Sequence, residues 1–424
     1  MKKIKLKGID EIIYYEKLDN GLDVYLYPKD DVYNNYVTFT TKFGSIYNQF
    51  VPIGEKKMKK VPYGVAHFLE HKVFEQKNGD AVDEFFSKSG TISNAYTTFK
   101  NTTYLFSGPN NLKNNITFLL DFVQSPYFTD ENVEKEKGII TQEIHMCDDN
   151  PIDVLYEHIR KNMLHNNNYK DSIIGTVKDI NSINKKILYT CYNTFYNPSN
   201  MFLVVTGSFD VNEILNAIKE NQSSKKFKKL EELDIKKCDE DDSVVLDKEI
   251  INMDTSVPKV AFNIKISLKN KDINIKKYNL YLFLMFSILF GDSSDFDELA
   301  KNEGVITNDL YLNLLNCDSH AIISLINETN EYDRLIDMIK DKLKDIKIDE
   351  KDFERKKRVL ISNELFGFEN IEVINETIID NILFDNKIDD DIIGLLRSLN
   401  INEMNDIIKN LDLSNNGIVI IKKK

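Results

Sequence analysis

At 424 residues, 42% of them hydrophobic and 29% charged, the chain is globular in composition and too long for one core, which implies two domains of roughly 200 residues each. Its net charge of −13 comes from acids spread along the sequence and argues against a nucleic-acid partner, because phosphate binding needs concentrated Lys and Arg. The most apolar run, LYLFLMFSILF at 280–290, is about half the length of a membrane span and reads as a buried helix, so no membrane role is expected.

The opening MKKIKLKGIDEIIYYEK has a basic start, but Asp10 interrupts it before an apolar segment can form, and it does not read as a leader. The four cysteines, Cys147, Cys191, Cys238 and Cys317, are widely spaced without a CxxC pair, which fits a reducing cytoplasm. LDVYLYP (22–28) and NYVTFTTKFG (35–44) are rich in β-branched and aromatic residues and predict strands. After a loop bracketed by Gly44 and Gly54, GVAHFLEHKVFEQ (64–76) predicts a helix, and GDAVDEFFSKSG (79–90) a short one closed by Gly90. TISNAYTTF (91–99) and TTYLFSG (102–108) follow as an antiparallel pair. Helical patterns then occupy 111–126 and 129–149, the second capped by Thr129 or Asp130 with acids in its first turn.

From 225 to 242 the sequence turns polar, KKFKKLEELDIKKCDEDD, and predicts a solvated linker between a first domain at 1–224 and a second at 243–424. The stretches 180–208 and 397–423 share one order, a Ser/Asn-rich start, a helix, a PSN or SNN turn and an apolar strand, so each domain is expected to end in the same unit. The fold class is α+β: two similar domains, each a largely antiparallel sheet with helices packed on one face.

The chemistry concentrates in HFLEH. Residues four apart on a helix share a face, so His67 and His71 can present ring nitrogens to one point with Glu70 beside them. Two imidazoles and a carboxylate commonly bind zinc, and a carboxylate that is not a ligand can take a proton from water as general base. The order HxxEH is that of inverzincins. The competing reading leaves both histidines hydrogen-bonded on an amphipathic helix. Yet Val65, Ala66, Phe68 and Leu69 make that helix substantially buried, where an unmetallated histidine pair beside a carboxylate is costly. The third ligand is sought on 133–147, where Glu136 and Glu143 share a face. Glu143 lies among Ile139, Ile140 and Ile144 and wants a cation, whereas Glu131 and Glu134 are explained by the helix dipole, and His145 points to another face.

These residues resemble the M16 peptidases, the pitrilysin and insulinase family that includes mitochondrial processing peptidase. The resemblance is carried by HFLEH, by EKGIITQE (136–143), by GTISNAYTTFKNTTYLF (90–106) and by FYNPSNMFLVVTGSFD (195–210), and it is strong over the first half and weak over the second. It implies that His67, His71 and Glu143 bind zinc, that Glu70 is the general base, and that Glu136 orients a histidine ligand. It also implies that Asn94 and Ala95 lie on an edge strand that pairs with an extended peptide substrate. The second half departs from the family, with Ala300 near the position of a substrate-holding arginine and a tyrosine only at Tyr311. The resemblance therefore implies a zinc endopeptidase that works with an M16-like partner subunit in a hetero-oligomer, a homodimer being the other arrangement. A non-catalytic peptide-binding or scaffold subunit is the competing function.

Overall fold

The structure, a computed structural model, describes residues 1–77, 82–230, 232–269, 271 and 273–423. Contacts divide it into two compact units: Met1–Ile144 with Ser172–Lys237 and Leu365–Ile392, and His145–Asp171 with Cys238–Glu364 and Ile393–Lys424. Each unit is thus assembled from separated stretches of chain. Among the described residues no helix is long and apolar enough to cross a membrane.

The strands of the first unit are β1 (Lys2–Leu6), β2 (Glu11–Lys17), β3 (Asp23–Pro28), β4 (Asn35–Thr41), β5 (Gln49–Phe50), β6 (Lys59–Lys60), β7 (Ile92–Thr97), β8 (Thr102–Gly108) and β9 (Met201–Gly207). Seven of them form one sheet in the order β1-β2-β3-β9-β4-β8-β7, and β5 and β6 pair separately. The period-2 alternation of side chains divides the apolar residues of the sheet between its two faces. Val24, Leu26, Val37, Phe39, Leu203 and Val205 enter the main core with α1 (Val65–Val73), α2 (Val82–Ser87), α3 (Leu112–Val123) and α4 (Asp130–Asp149). Tyr25, Tyr27, Phe202 and Val204 face the other way and are covered by Ile374, Ile378, Ile379 and Ile382 of the helix Ile371–Asp385, which arrives from far along the chain. In the segment expected at 79–90, residues 79–81 lie outside the described residues, and Gly90 closes the element at φ 67°.

The second unit carries β10 (Lys248–Met253), β11 (Lys259–Ser267), β12 (Tyr311–Asn316), β13 (His320–Glu328) and β14 (Asn416–Lys423) in the order β10-β14-β11-β13-β12. That order repeats β3-β9-β4-β8-β7, with the same directions. β9 runs parallel to β3 and antiparallel to β4, as β14 does to β10 and β11, and the remaining neighbours are antiparallel in both sheets. The two domains are therefore alike, and the helix-turn-strand similarity in the sequence falls on β9 and β14, the strands that close each half. The run 280–290 is buried for most of its length in the helix Ile275–Phe290, as its composition requires.

The segment 225–242 is less solvated than its polarity predicts. Asp234 O accepts from Val51 N at 2.9 Å and Lys236 N donates to Gln49 O at 3.0 Å, so this stretch bonds to β5. Farther along, Glu240 is 1% exposed, held by Lys265 Nζ at 2.7 Å and by the amides of His165, Asn166 and Asn167. Backbone pairing and a buried ion pair order these residues, and neither leaves an apolar period in the sequence.

Candidate metal centre

α1 begins after Gly64, whose φ of 77° suits glycine, and a Cβ there would lie 2.3 Å from Ile174 O. The close approach lets the chain around 174 pack on the start of the helix. α1 buries Val65, Ala66, Phe68 and Leu69 in the core, which fixes its rotation and leaves His67, Glu70 and His71 on the face toward α4. α4 in turn buries Val133, Ile140 and Ile144 and presents Glu136 and Glu143 on one face, about two turns apart.

Three of these groups converge. His67 Nε2 lies 3.4 Å from Glu143 Oε1, and His71 Nε2 lies 3.6 Å from Glu143 Oε2. The two imidazole rings are 4.6 Å apart between centroids. Among the described residues, His67, His71 and Glu143 are the one group of histidine, cysteine and acid side chains that could hold a metal ion, with ligand atoms within 4.8 Å of one another. A tetrahedral zinc held at about 2.0–2.1 Å separates its ligand atoms by roughly 3.4 Å, so the observed spacing fits that ion. It is long for a hydrogen bond and short for unrelated groups.

The histidines are held differently. His71 Nδ1 pairs with Glu136 Oε1 at 3.0 Å, which directs Nε2 to the centre. His67 is buried and its Nδ1 has no hydrogen-bond partner among the described residues, so packing and the approach of Nε2 to Glu143 set its ring. Burial works against a charged His71, but the bond to Glu136 and the charges of Glu136, Glu143 and Glu70 outweigh it and raise the imidazole above its ordinary value. The polar contact with His67, together with the charges of His67 and His71, holds Glu143 below the usual carboxylate range despite partial burial. Burial pushes Glu136 up, yet His71 and Lys72 together bring it below that range.

Glu70 is not among the converging ligand atoms. Its Oε2 accepts a 2.6 Å hydrogen bond from Thr97 Oγ1 on β7, and Thr97 Oγ1 in turn lies 3.3 Å from Thr102 Oγ1, which donates to Phe43 O. β7 is the edge of the seven-stranded sheet, bonded to β8 on one side only. Asn94 and Ala95 lie on this strand, and Asn94 Oδ1 accepts from Ala95 N at 2.9 Å. Ala300 is buried in the helix Asp295–Asn302 and Tyr311 is exposed at the start of β12, both in the second unit.

Two participants escaped the sequence reading. Thr97 stands in the NAYT stretch without a distinguishing mark, since its role depends on a strand register. Lys72 could have been found by the reasoning applied to Glu143, because it is a charge on a helix lined by Phe68, Leu69 and Val73; it is fully buried.

Comparison with known proteins gives these positions a context. The family model described as Insulinase (Peptidase family M16) matches residues 49–177, and that described as Peptidase M16 inactive domain matches 182–360. The uncharacterized zinc protease YmfH of Bacillus subtilis (strain 168) is 40% identical over 344 residues, covering 80% of this chain and 79% of that protein. Mitochondrial-processing peptidase subunit beta of Mus musculus is 25% identical over 174 residues, 40% of this chain and 36% of that protein. The crystal structure of an M16-like peptidase from Alicyclobacillus acidocaldarius superposes with a TM-score of 0.92 at 29% identity, covering 98% and 99% of the two chains. The first half of the periplasmic protease PqqL from Escherichia coli shares the fold, with a TM-score of 0.77 at 17% identity over 100% of this chain and 94% of that one. The length and identity of the match to YmfH, with both family models aligned in order, establish that this chain belongs to the M16 (insulinase) peptidase family.

Proposed function

We propose that the chain is a zinc endopeptidase, with His67, His71 and Glu143 as the metal ligands and Glu70 as the general base. The observation that carries this reading is the convergence of His67, His71 and Glu143, whose ligand atoms lie within 4.8 Å of one another, beside a carboxylate tied to a sheet edge. Bound there, zinc supplies Lewis acidity that polarises a peptide carbonyl and acidifies a water. Glu70 takes the proton of the attacking water and delivers it to the leaving amine. Thr97 occupies one oxygen of Glu70 and leaves the other for that proton. The outer edge of β7 around Asn94 and Ala95 takes the substrate backbone as an added strand, and Glu136 keeps His71 in the metal-binding tautomer.

In this reading 1–224 is the zinc-bearing domain, 225–242 the connection, and 243–424 a related domain without a metal site. Ala300 and Tyr311 in the second domain supply no arginine–tyrosine clamp, which supports a catalytic subunit that shares substrate holding with a second M16-like chain, in the cytoplasm. The test is metal analysis and peptide cleavage on wild type and Glu70→Gln. We expect about one zinc per chain in both and cleavage only in wild type. A folded wild type that takes up no zinc overturns the assignment.

A further inference from the structure

Lys72 is an unexpected residue at its position. It follows His71 on α1, is 0% exposed, and is flanked in sequence by the core residue Val73. Burying an ammonium is costly unless fixed anions compensate it, whereas burying a methionine of similar length is favourable. Two do: Glu75 contacts Lys72 Nζ directly, and Glu136 Oε2 lies 3.5 Å away. Glu136 uses its other oxygen, Oε1, on His71 Nδ1 at 3.0 Å. The contacts form one line, Glu75 to Lys72 to Glu136 to His71, ending at the imidazole nitrogen that faces Glu143.

We propose that Lys72 is a positioning residue of the metal centre: its buried ammonium pins one oxygen of Glu136 so that the other holds His71 with Nε2 directed at the metal. This rests on the zinc reading above. A carboxylate bonded only to His71 could rotate about its side chain or turn toward the cation as a competing ligand. An ammonium on its far oxygen removes both freedoms. The arrangement also runs against simple electrostatics, since a cation this near should repel zinc. A purely coulombic role for Lys72 therefore predicts tighter zinc binding when it is removed, and the positioning role predicts weaker binding.

The experiment measures zinc affinity of the full chain by chelator competition for wild type, Lys72→Met, Lys72→Gln, Glu136→Gln and the double variant Lys72→Met/Glu136→Gln, with circular dichroism to show that each is folded. We expect Lys72→Met and Lys72→Gln to lose about 10- to 100-fold in zinc affinity, the range typical of groups that orient metal ligands. The double variant should lose no more than Glu136→Gln alone, because Lys72 acts only through Glu136. If Lys72→Met does not fold, Lys72→Gln, which is shorter but keeps a polar donor, carries the comparison. Unchanged or tighter zinc binding in a folded Lys72 variant overturns the proposal and leaves the zinc reading standing, as do losses that add in the double variant. Absence of zinc binding by wild type overturns the zinc reading, and this proposal with it.

Discussion

Thr97 donates a 2.6 Å hydrogen bond to Glu70, and this one contact joins the edge strand of the sheet to the helix of His67 and His71. A carboxylate with one oxygen held by a hydroxyl keeps a single orientation, and the strand that supplies the hydroxyl is the one proposed to receive substrate. Thr97→Val keeps shape and β propensity but removes the donor. We expect kcat to fall tenfold or more, a part of the 10²–10⁴ that a positioned general base contributes, with KM within a few-fold of wild type. Thr97→Ser should recover most of the loss, and equal rates for Thr97→Val and wild type would show that Glu70 needs no such partner.

Zinc removal should be visible in stability as well as activity. Three ligands that meet only in the folded chain make metal binding favour the native state, by about 2.7 kcal/mol when free zinc is 100 times its Kd. Chelation of the wild type should lower the melting temperature, and zinc should restore it. Glu143→Ala, which removes the ligand that α4 supplies, should abolish this response and leave a folded protein, as read by parallel calorimetric scans with and without zinc.

Asn375 locks the helix Ile371–Asp385 onto the sheet of the first unit. It is fully buried, its Oδ1 accepts from Thr38 Oγ1 at 2.6 Å, and its Nδ2 donates to Tyr36 O at 3.1 Å. On the next residue, Glu376 accepts from Tyr36 Oη at 3.2 Å and from Tyr96 Oη at 2.6 Å. Asn375→Leu takes the acceptor from the buried Thr38 hydroxyl, while Tyr36 O keeps the bond from Thr206 Oγ1, and should cost about 1–3 kcal/mol in denaturant unfolding. A fragment ending at residue 242 lacks the helix and exposes Tyr25, Tyr27, Phe202 and Val204, so it should not fold cooperatively.

Different physical ranges explain what the sequence could and could not disclose. That His67, Glu70 and His71 share a face of α1, and Glu136 and Glu143 a face of α4, was legible because a helix has a fixed period, and spacings of three, four and seven place side chains without further knowledge. The likeness of the two domains was legible because β9 and β14 each carry a buried apolar run in an equivalent context. Asn375 was opaque, since its partner Tyr36 lies 339 residues away and nothing local marks the pairing. The exchange of segments between the units was hidden for the same reason, and so was Thr97, whose hydroxyl meets Glu70 only through tertiary packing. Lys72 was legible in principle, as a charge on an apolar face.

The ion pair of Glu240 and Lys265 gives a prediction about acid stability. Both side chains are fully buried, and Lys265 Nζ donates to Glu240 Oε1 at 2.7 Å and to Ser243 O at 2.9 Å. Burial pushes the Glu240 carboxyl up, but Lys265 and the amides of His165, Asn166 and Asn167 outweigh it and hold it below the usual carboxylate range. The unfolded chain then binds a proton more readily than the folded one, so stability rises with pH across this interval. The contribution is complete above the unfolded carboxyl value of about 4.3 and is lost as pH falls through the lower folded value. Lys265→Met removes the compensating charge and should cost about 3–5 kcal/mol near neutral pH, because Glu240 is left buried without its cation. The variant's folded carboxyl is no longer depressed as far, so the gap to wild type should narrow as pH drops below about 4. Urea unfolding of both proteins from pH 7 to 3 measures this directly, and a gap that stays constant or widens toward acid would assign the stabilisation to packing instead of charge.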